Sequence, residues 1–318
     1  MKEADLLIDP VLQELEESYD GLHVVALGGG HGLAAALEAI LGYADAISAI
    51  VSVGDDGGSS GRLAGGLAIP PPGDIRRALL ALSPVSSVWR RLVEYRFEAG
   101  DVSGHSLGNL IIAALTDLSG SFEDALNTVG RLLGARGAVI PAAAVPLVLE
   151  ADVDDRVVRG QVAIARSHGT ITDLRIIPAD AVATRTAREA IASADQIVLG
   201  PGSLFTSVIA GLKVPGIAEA INESRARLVY VCNLITQDGE TLGMDGPAHI
   251  AALEAIGGVR RPDRVVAHDG PLAVPAGHER VAFDDPAADI VTAAVADPTA
   301  PWPQHDPARL GAVLRRLT

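Results

Sequence analysis

A single cysteine, Cys232, stands among 318 residues, so no disulfide can close within the chain, and the composition suits a reducing cytoplasm. Basic residues are also few, 25 against 40 acidic ones, for a formal charge of -15. A general nucleic-acid or membrane-surface binder needs a basic field, and neither partner is expected. No apolar run is long enough to span a bilayer. The longest, "AVIPAAAVPLVL" at 138–149, is short and is broken by Pro141 and Pro146. The opening "MKEADLLIDP" puts acids where a secretory signal would carry its apolar core, so no export is expected. The eight histidines show no metal-ligand spacing.

What the chain does have is core material, with 48% hydrophobic residues. An acidic lead, "LIDPVLQELEESY", reads as a short surface helix. "LHVVAL" reads as a buried strand, and "GGGHGL" leads into a helix with Leu33, Leu37, Ile40 and Leu41 on one stripe. "AISAIVSV" is the next strand, and this β-loop-α-β order predicts a parallel sheet. The pattern turns helical from about 74 to 134, an insertion beside the sheet, with Asp74 and Ser121 as N-caps. "VPLVLEADVDDRVVRGQVAIA" reads as a hairpin turning near Asp154 and Asp155, with "LRIIP" as a further extended piece. Strand-loop-helix logic returns at "ADQIVLGPGSLFTSVIAGL", followed by strands at "ARLVYV" and "RVVAHDG". A last helix has Asp306 as its N-cap and Pro307 at its first position. The expectation is one α/β unit over 1–318, Rossmann-like and doubly wound. Its sheet is mostly parallel, with a helical insertion and a β-hairpin.

Polar loops follow four of the strands, and in an open parallel sheet such loops share the edge where ligands bind. The first is Gly28, Gly29, Gly30, His31 and Gly32, whose N–H groups and helix dipole suit a phosphate. A tight strand-to-helix turn is the plain alternative. It is no dinucleotide fingerprint, because Leu33 occupies the third glycine position, which weakens a nicotinamide dehydrogenase. The second runs from Asp55 and Asp56 through Gly57, Gly58 and Ser59 to Gly61, a bare backbone against which a ligand can lie. Either acid would take a ribose hydroxyl or Mg²⁺, or else cap backbone donors. The third and fourth offer Gly200, Gly202 and Ser203, then Asn233 and Thr236, with Cys232 as strand-end packing.

Between them, "PPPGDIRRAL" supplies Asp74 and Arg76, the arginine either reaching a phosphate or sitting solvated on a helix face. "GHSLGNL" supplies His105, Ser106 and Asn109 at a helix start. Its letters fit a G-x-S-x-G elbow, but "RFEAGDVS" is no apolar strand, which argues against a serine nucleophile.

Taken in order, "GGGHGL", "DDGGSSGRL", "PGDIRRAL", "GHSLGNL", "GPGSLFTS" and "CNLITQDGET" resemble the gluconeogenesis factor family, a bacterial relative of the 2-phospho-L-lactate transferases of deazaflavin cofactor synthesis. The resemblance runs from about His23 to about Val266. It implies a Rossmann-like core, a cytoplasmic and often oligomeric protein, and a role in cell shape and wall synthesis on gluconeogenic carbon sources. It also implies binding of UDP-sugars such as UDP-glucose and UDP-N-acetylglucosamine, with cell-wall synthesis or regulatory proteins as partners. His31 stands where the family usually has threonine. The transferase branch typically has Gly-Pro-Ser-Asn-Pro where Gly200 to Leu204 stand here, which favours the regulatory branch. The alternative is a phospholactate-type transferase with Mg²⁺ near Asp55 or Asp56. A flat deazaflavin acceptor usually rests on aromatic surface, and aromatics are 3% of residues, with only Phe205 in the four loops.

Overall fold

Short runs rich in valine and isoleucine form the strands of a seven-stranded parallel sheet, the centre of this computed structural model, which describes residues 21–84, 88–284, 287 and 289–318. In chain order the strands are β1 (His23–Gly28), β2 (Ala46–Val51), β3 (Ala138–Pro141), β4 (Val148–Val153), β5 (Arg156–Arg159), β6 (Ile171–Ile177), β7 (Gln196–Leu199), β8 (Arg227–Val231), β9 (Arg264–His268) and β10 (Ile290–Ala293). The helices are α1 (Gly30–Ile40), α2 (Gly58–Leu67), α3 (Pro72–Ala81), α4 (Val88–Glu94), α5 (Leu107–Ser119), α6 (Phe122–Leu133), α7 (Gln161–Ala165), α8 (Arg185–Ala192), α9 (Ile217–Glu223), α10 (Gly246–Ala255) and α11 (Pro307–Leu314). A helical segment, Leu204–Leu212, opens with a π-helical turn, Leu204–Ile209.

The large sheet has the order β10-β9-β8-β7-β1-β2-β3, and every neighbouring pair is parallel. The chain therefore winds outward from β1 to β3, returns to β7 on the other side of β1, and winds outward again to β10. The reversal lies between β1 and β7, the place where open α/β sheets form a crevice. Register brings the strand ends level there: Leu27 pairs with Leu199, Gly28 with Val51, and Leu199 with Tyr230. The loops after β8, β7, β1 and β2 thus leave one edge side by side.

Both central strands are buried along their whole length, which explains why they read as continuous apolar runs rather than alternating ones. Helix α1 turns Leu33, Leu37 and Ile40 onto the sheet, as its 3.6-residue period requires. The helical insertion is α2 to α6, and Ser121 caps α6 by accepting from Asp124 N at 3.2 Å. Asp306 caps α11 in the same way, accepting from Arg309 N at 3.0 Å. The expected hairpin is β4 and β5, turning at Asp154 and Asp155, and β6 pairs with the other side of β4 in an antiparallel three-stranded sheet.

Several expectations change. "GQVAIA" leaves the hairpin and becomes α7, because Gly160 at φ 98 breaks the strand. Asp74 is not an N-cap: Pro71 holds that position, and Asp74 lies in the first turn of α3. The apolar stretch at 138 opens as edge strand β3, where a terminal proline costs no ladder bond. The glycine run after Asp56 is not all loop, since α2 starts at Gly58 and buries Ser59 and Ser60. The lead segment "LIDPVLQELEESY" falls outside the described residues. Among the described residues no single helix is long and apolar enough to cross a membrane.

Candidate functional site

The glycine loops after β1 and β7 touch across the switch in strand order. A Cβ on Gly32 would lie 2.1 Å from the Pro201 carbonyl oxygen, so no larger residue fits there without separating the two loops. Gly30 enters α1 at φ 64, a left-handed conformation that L side chains resist. Gly29 precedes it with no side-chain cap, and the first turn of α1 faces the crevice with its N–H donors. The Gly30 N–H donates to the Asp74 carboxylate. Gly200, at φ 68, makes the corresponding turn after β7.

A cleft of about 520 Å³ opens over these loops. His31, Gly32, Gly202, Asn233 and Thr236 line it, as the sequence grouped them. Asn233 Oδ1 accepts from Gly202 N at 3.1 Å and ties the fourth loop to the third. Thr236 N donates to Glu279 O at 2.8 Å, and Thr236 Oγ1 accepts from Glu279 N at 2.9 Å, so Glu279 holds this loop through two hydrogen bonds. Desolvation and then Arg77 hold the His31 imidazole below its ordinary value, leaving it a neutral group at physiological pH.

The far wall was missed. Trp302 and His278 line the same cleft, ring centroids 5.3 Å apart and edge-on at 89°. Trp302 is 52% exposed, which leaves its indole available as an apolar wall, while Phe205 is buried at 2%. The cleft is therefore not poor in aromatics. The signal available was a tryptophan between two prolines, far along the chain from every glycine loop; only the fold brings it back.

Glu240 was also missed as a positioning residue. It is buried at 6% exposure, and it accepts from Phe205 N at 3.1 Å, Thr206 N at 3.2 Å and Thr206 Oγ1 at 2.5 Å. Ser203 also donates to it, which turns the Ser203 hydroxyl inward. Burial raises the Glu240 pKa, and these donors oppose that shift. Glu240 fixes the helical segment after the third loop.

The two acids after β2 separate. Asp55 Oδ1 accepts from Gly57 N at 3.0 Å, and its Oδ2 would lie 2.9 Å from a Cβ on Gly73, at the start of α3. That puts it near Asp74, whose pKa is raised by burial and by Asp55, against the pull of Arg77. Asp74 bonds Arg77 at 2.5 Å, and its Oδ2 would lie 2.6 Å from a Cβ on Gly29. Asp56 is exposed and goes elsewhere: its Oδ1 accepts from Val162 N at 3.0 Å, in the first turn of α7. Asp55 joins the first glycine loop through Asp74; Asp56 holds the three-stranded sheet's helix. Gly57 closes the Asp55 turn and caps α2, its carbonyl accepting from Gly61 N at 3.1 Å, and Gly58 has nothing within 4 Å of where a Cβ would stand.

Beyond Asp55, the buried Ser59 Oγ lies 2.9 Å from His105 Nδ1 and accepts from Asn109 Nδ2 at 3.0 Å. Ser106 is the N-cap of α5, accepting from Asn109 N at 3.4 Å and from Arg76 Nη1. Arg76 is a buried group rather than a solvated one, at 7% exposure. The elbow reading of Ser106 fails in this setting. Its hydroxyl is fully buried against a guanidinium, which cannot act as its base, and only an isolated bridge from Arg96 precedes it. Cys232 is buried and its thiol is pushed up to about 12 by burial, an inert packing group.

Residues 24–295 match the family profile described as 2-phospho-L-lactate transferase CofD. The gluconeogenesis factor of Halalkalibacterium halodurans is 44% identical over 253 residues, 79% of each chain. That of Bacillus subtilis is 44% identical over 232 residues, 72% of this chain and 73% of the other. A crystal structure of a UPF0052-family protein from Bacillus halodurans superposes with a TM-score of 0.87 at 37% identity, covering 92% of this chain and 98% of that one. The chain belongs to the CofD family, among its gluconeogenesis factors.

Proposed function

We propose that the chain is a nucleotide-sugar-binding gluconeogenesis factor, taking UDP-sugars such as UDP-glucose and UDP-N-acetylglucosamine. In this reading it acts in the cytoplasm, as a homo-oligomer working with cell-wall synthesis or regulatory proteins, and supports cell shape and wall synthesis during gluconeogenic growth. The observation that carries the chemical half is the joined pair of glycine loops under the cleft. The first-turn N–H donors of α1 beyond Gly30, whose N–H is taken by Asp74, suit a diphosphate, and a cleft of about 520 Å³ with Trp302 on its wall suits a base and sugar. The names of the relatives support the physiological half. Millimolar UDP-glucose or UDP-N-acetylglucosamine should raise the melting temperature, by roughly 2.7 kcal/mol of stability at about 100 times Kd. A melting curve that ignores both UDP-sugars but responds to NAD removes the assignment.

A second reading, a phospholactate-type transferase with a nucleoside-diphosphate donor, has one observation in its favour. Asp55 and Asp74 converge beneath the first glycine loop, and the aromatic wall supplies the flat surface that composition denied. The two carboxylates fit Mg²⁺, which favours one or two carboxylates together with substrate phosphates. Among the described residues no group of three or more acids, histidines or cysteines surrounds them, so substrate and water would complete the shell. Bound there, the ion would neutralise phosphate charge. Asp55 and Asp74 would hold it, with Arg77 opposing the rise that burial imposes on the Asp74 pKa. Turnover above about 1 s⁻¹ with Mg²⁺, a nucleotide-linked phospholactate donor and a deazaflavin, lost in Asp55→Asn, would favour this reading.

A further inference from the structure

Helix α2 reads GSSGRLAGGL, four glycines in 10 residues, and each glycine inside a helix lowers its weight about 4-fold against alanine. Two of the four are explained by their surroundings. Gly58 enters the helix at φ 48, and a Cβ on Gly61 would collide with the Asp56 carbonyl oxygen. Gly65 and Gly66 are not explained in this way. Both lie within the helix, and a Cβ on either would meet nothing within 4 Å. Alanine would fit at both positions and strengthen the helix, so what glycine adds there is ease of unwinding.

The rest of the helix is fastened at one end. Ser59 Oγ lies 2.9 Å from His105 Nδ1 and accepts from Asn109 Nδ2 at 3.0 Å, and Arg62 Nη2 donates to Ser103 O at 3.0 Å. Leu63 packs on the core, but Gly65, Gly66, Leu67 and Ala68 are exposed. Among the described residues no side-chain hydrogen bond or ion pair reaches these four. Each end of α2 has a point that can turn. Gly57 caps the helix without a side-chain bond, and Ala68 closes it in the left-handed region at φ 54, a strained place for a residue with a Cβ. Outside these points the chain is buried, at Gly54 on one side and from Ile69 to Pro72 on the other.

This soft helix adjoins the candidate site. It leaves the ligand edge of the sheet just after Asp55 and Asp56, and it packs on α3 and α5. Ser60 Oγ and Asp55 Oδ2 both crowd Gly73, and the next residue, Asp74, accepts from the Gly30 N–H of the first glycine loop. We propose that α2 is a gate. Its last two turns unwind, it swings off α3 about Gly57 and Ala68, and the ligand enters and leaves past Asp55 and Asp74 while it is open. The proposal rests on the reading that a UDP-sugar binds over the glycine loops.

Surface plasmon resonance on the full chain, with UDP-glucose and UDP-N-acetylglucosamine, tests the gate. The double variant Gly65→Ala, Gly66→Ala should make the open state about 10-fold rarer. Ligand passes through that state in both directions, so association and dissociation should each slow about 10-fold while Kd stays within about 2-fold. Ala64→Gly should speed both. Unchanged rates in the double variant overturn the proposal, and so does a change in Kd carried by dissociation alone, which marks a contact rather than a gate. Hydrogen exchange in the free protein supplies a readout that needs no ligand. The Gly30 amide, held by Asp74, should exchange about 10-fold more slowly in the double variant, and an unchanged rate sinks the gate. If neither UDP-sugar binds while Gly30 exchange still slows, the nucleotide-sugar reading falls and the gate stands.

Discussion

Gly32 and Pro201 meet backbone to backbone, with the Pro201 carbonyl oxygen 2.1 Å and the Gly202 Cα 2.7 Å from where a Gly32 side chain would begin. This contact joins the first loop of one winding to the first loop of the other, and it sets the floor of the cleft. Gly32→Ala should cost about 1–3 kcal/mol and weaken ligand binding, because two main chains must separate. Gly30→Ala meets nothing within 4 Å and carries only left-handed strain, about 1–2 kcal/mol. Urea unfolding and titration of both variants check the difference. Unimpaired binding in Gly32→Ala would show that the loop contact does not shape the site.

Asp55 and Asp56 are neighbours in sequence with separate roles. Asp55→Asn should weaken UDP-sugar binding with little change in melting. Asp56→Asn should leave binding near wild type and loosen α7, at about 0.5–1 kcal/mol for a lost cap-like hydrogen bond. The reverse pattern in calorimetric titration would reassign the ligand-facing acid.

Trp302 stands half exposed on the cleft wall, edge-on to His278. Trp302→Ala should lower UDP-sugar affinity by about 5-fold or more, as a stacked base is worth roughly 1–3 kcal/mol. Its stability should hardly move, since little of the core depends on it. Binding that survives the change while Asp55→Asn abolishes it would place the base elsewhere.

His305 lines the cleft and is held neutral, pushed from 6.5 to about 4 by burial and then by His268. A lowered folded pKa means the unfolded chain takes up the proton first as pH falls. Stability is therefore undiminished by this group above pH 6.5 and falls as the pH drops toward 4, by about 3.4 kcal/mol in all. Denaturation across that range should show the wild type losing ground to His305→Gln as the solution acidifies. Parallel curves would mean that His305 does not titrate on unfolding.

Much of the architecture was legible because local chemistry and tertiary role agree. The buried runs at Val24 and Ile47, the stripe through Leu33 and Leu37, and the caps at Ser121 and Asp306 each follow from periodicity or a single hydrogen bond. The four glycine-rich loops could be grouped because parallel strands share one edge. Other features have no local signature. Strand β3 hid in an apolar stretch punctuated by prolines, and Ser59 to Gly61 looked like loop until α2 buried its serines.

The sequence by itself determined the strand-end loops, their glycines and their polar side chains, since each depends on residues close together in the chain. Tertiary structure alone decided which acid faces the glycine loop. Asp55 and Asp56 are chemically identical, and only their distant partners, Gly73 and Val162, separate them. It also decided that Trp302 walls the cleft and that Arg76 is buried against Ser106. Such contacts join residues tens to hundreds of positions apart. They are set by the order in which the strands lie in the sheet, which no local pattern encodes.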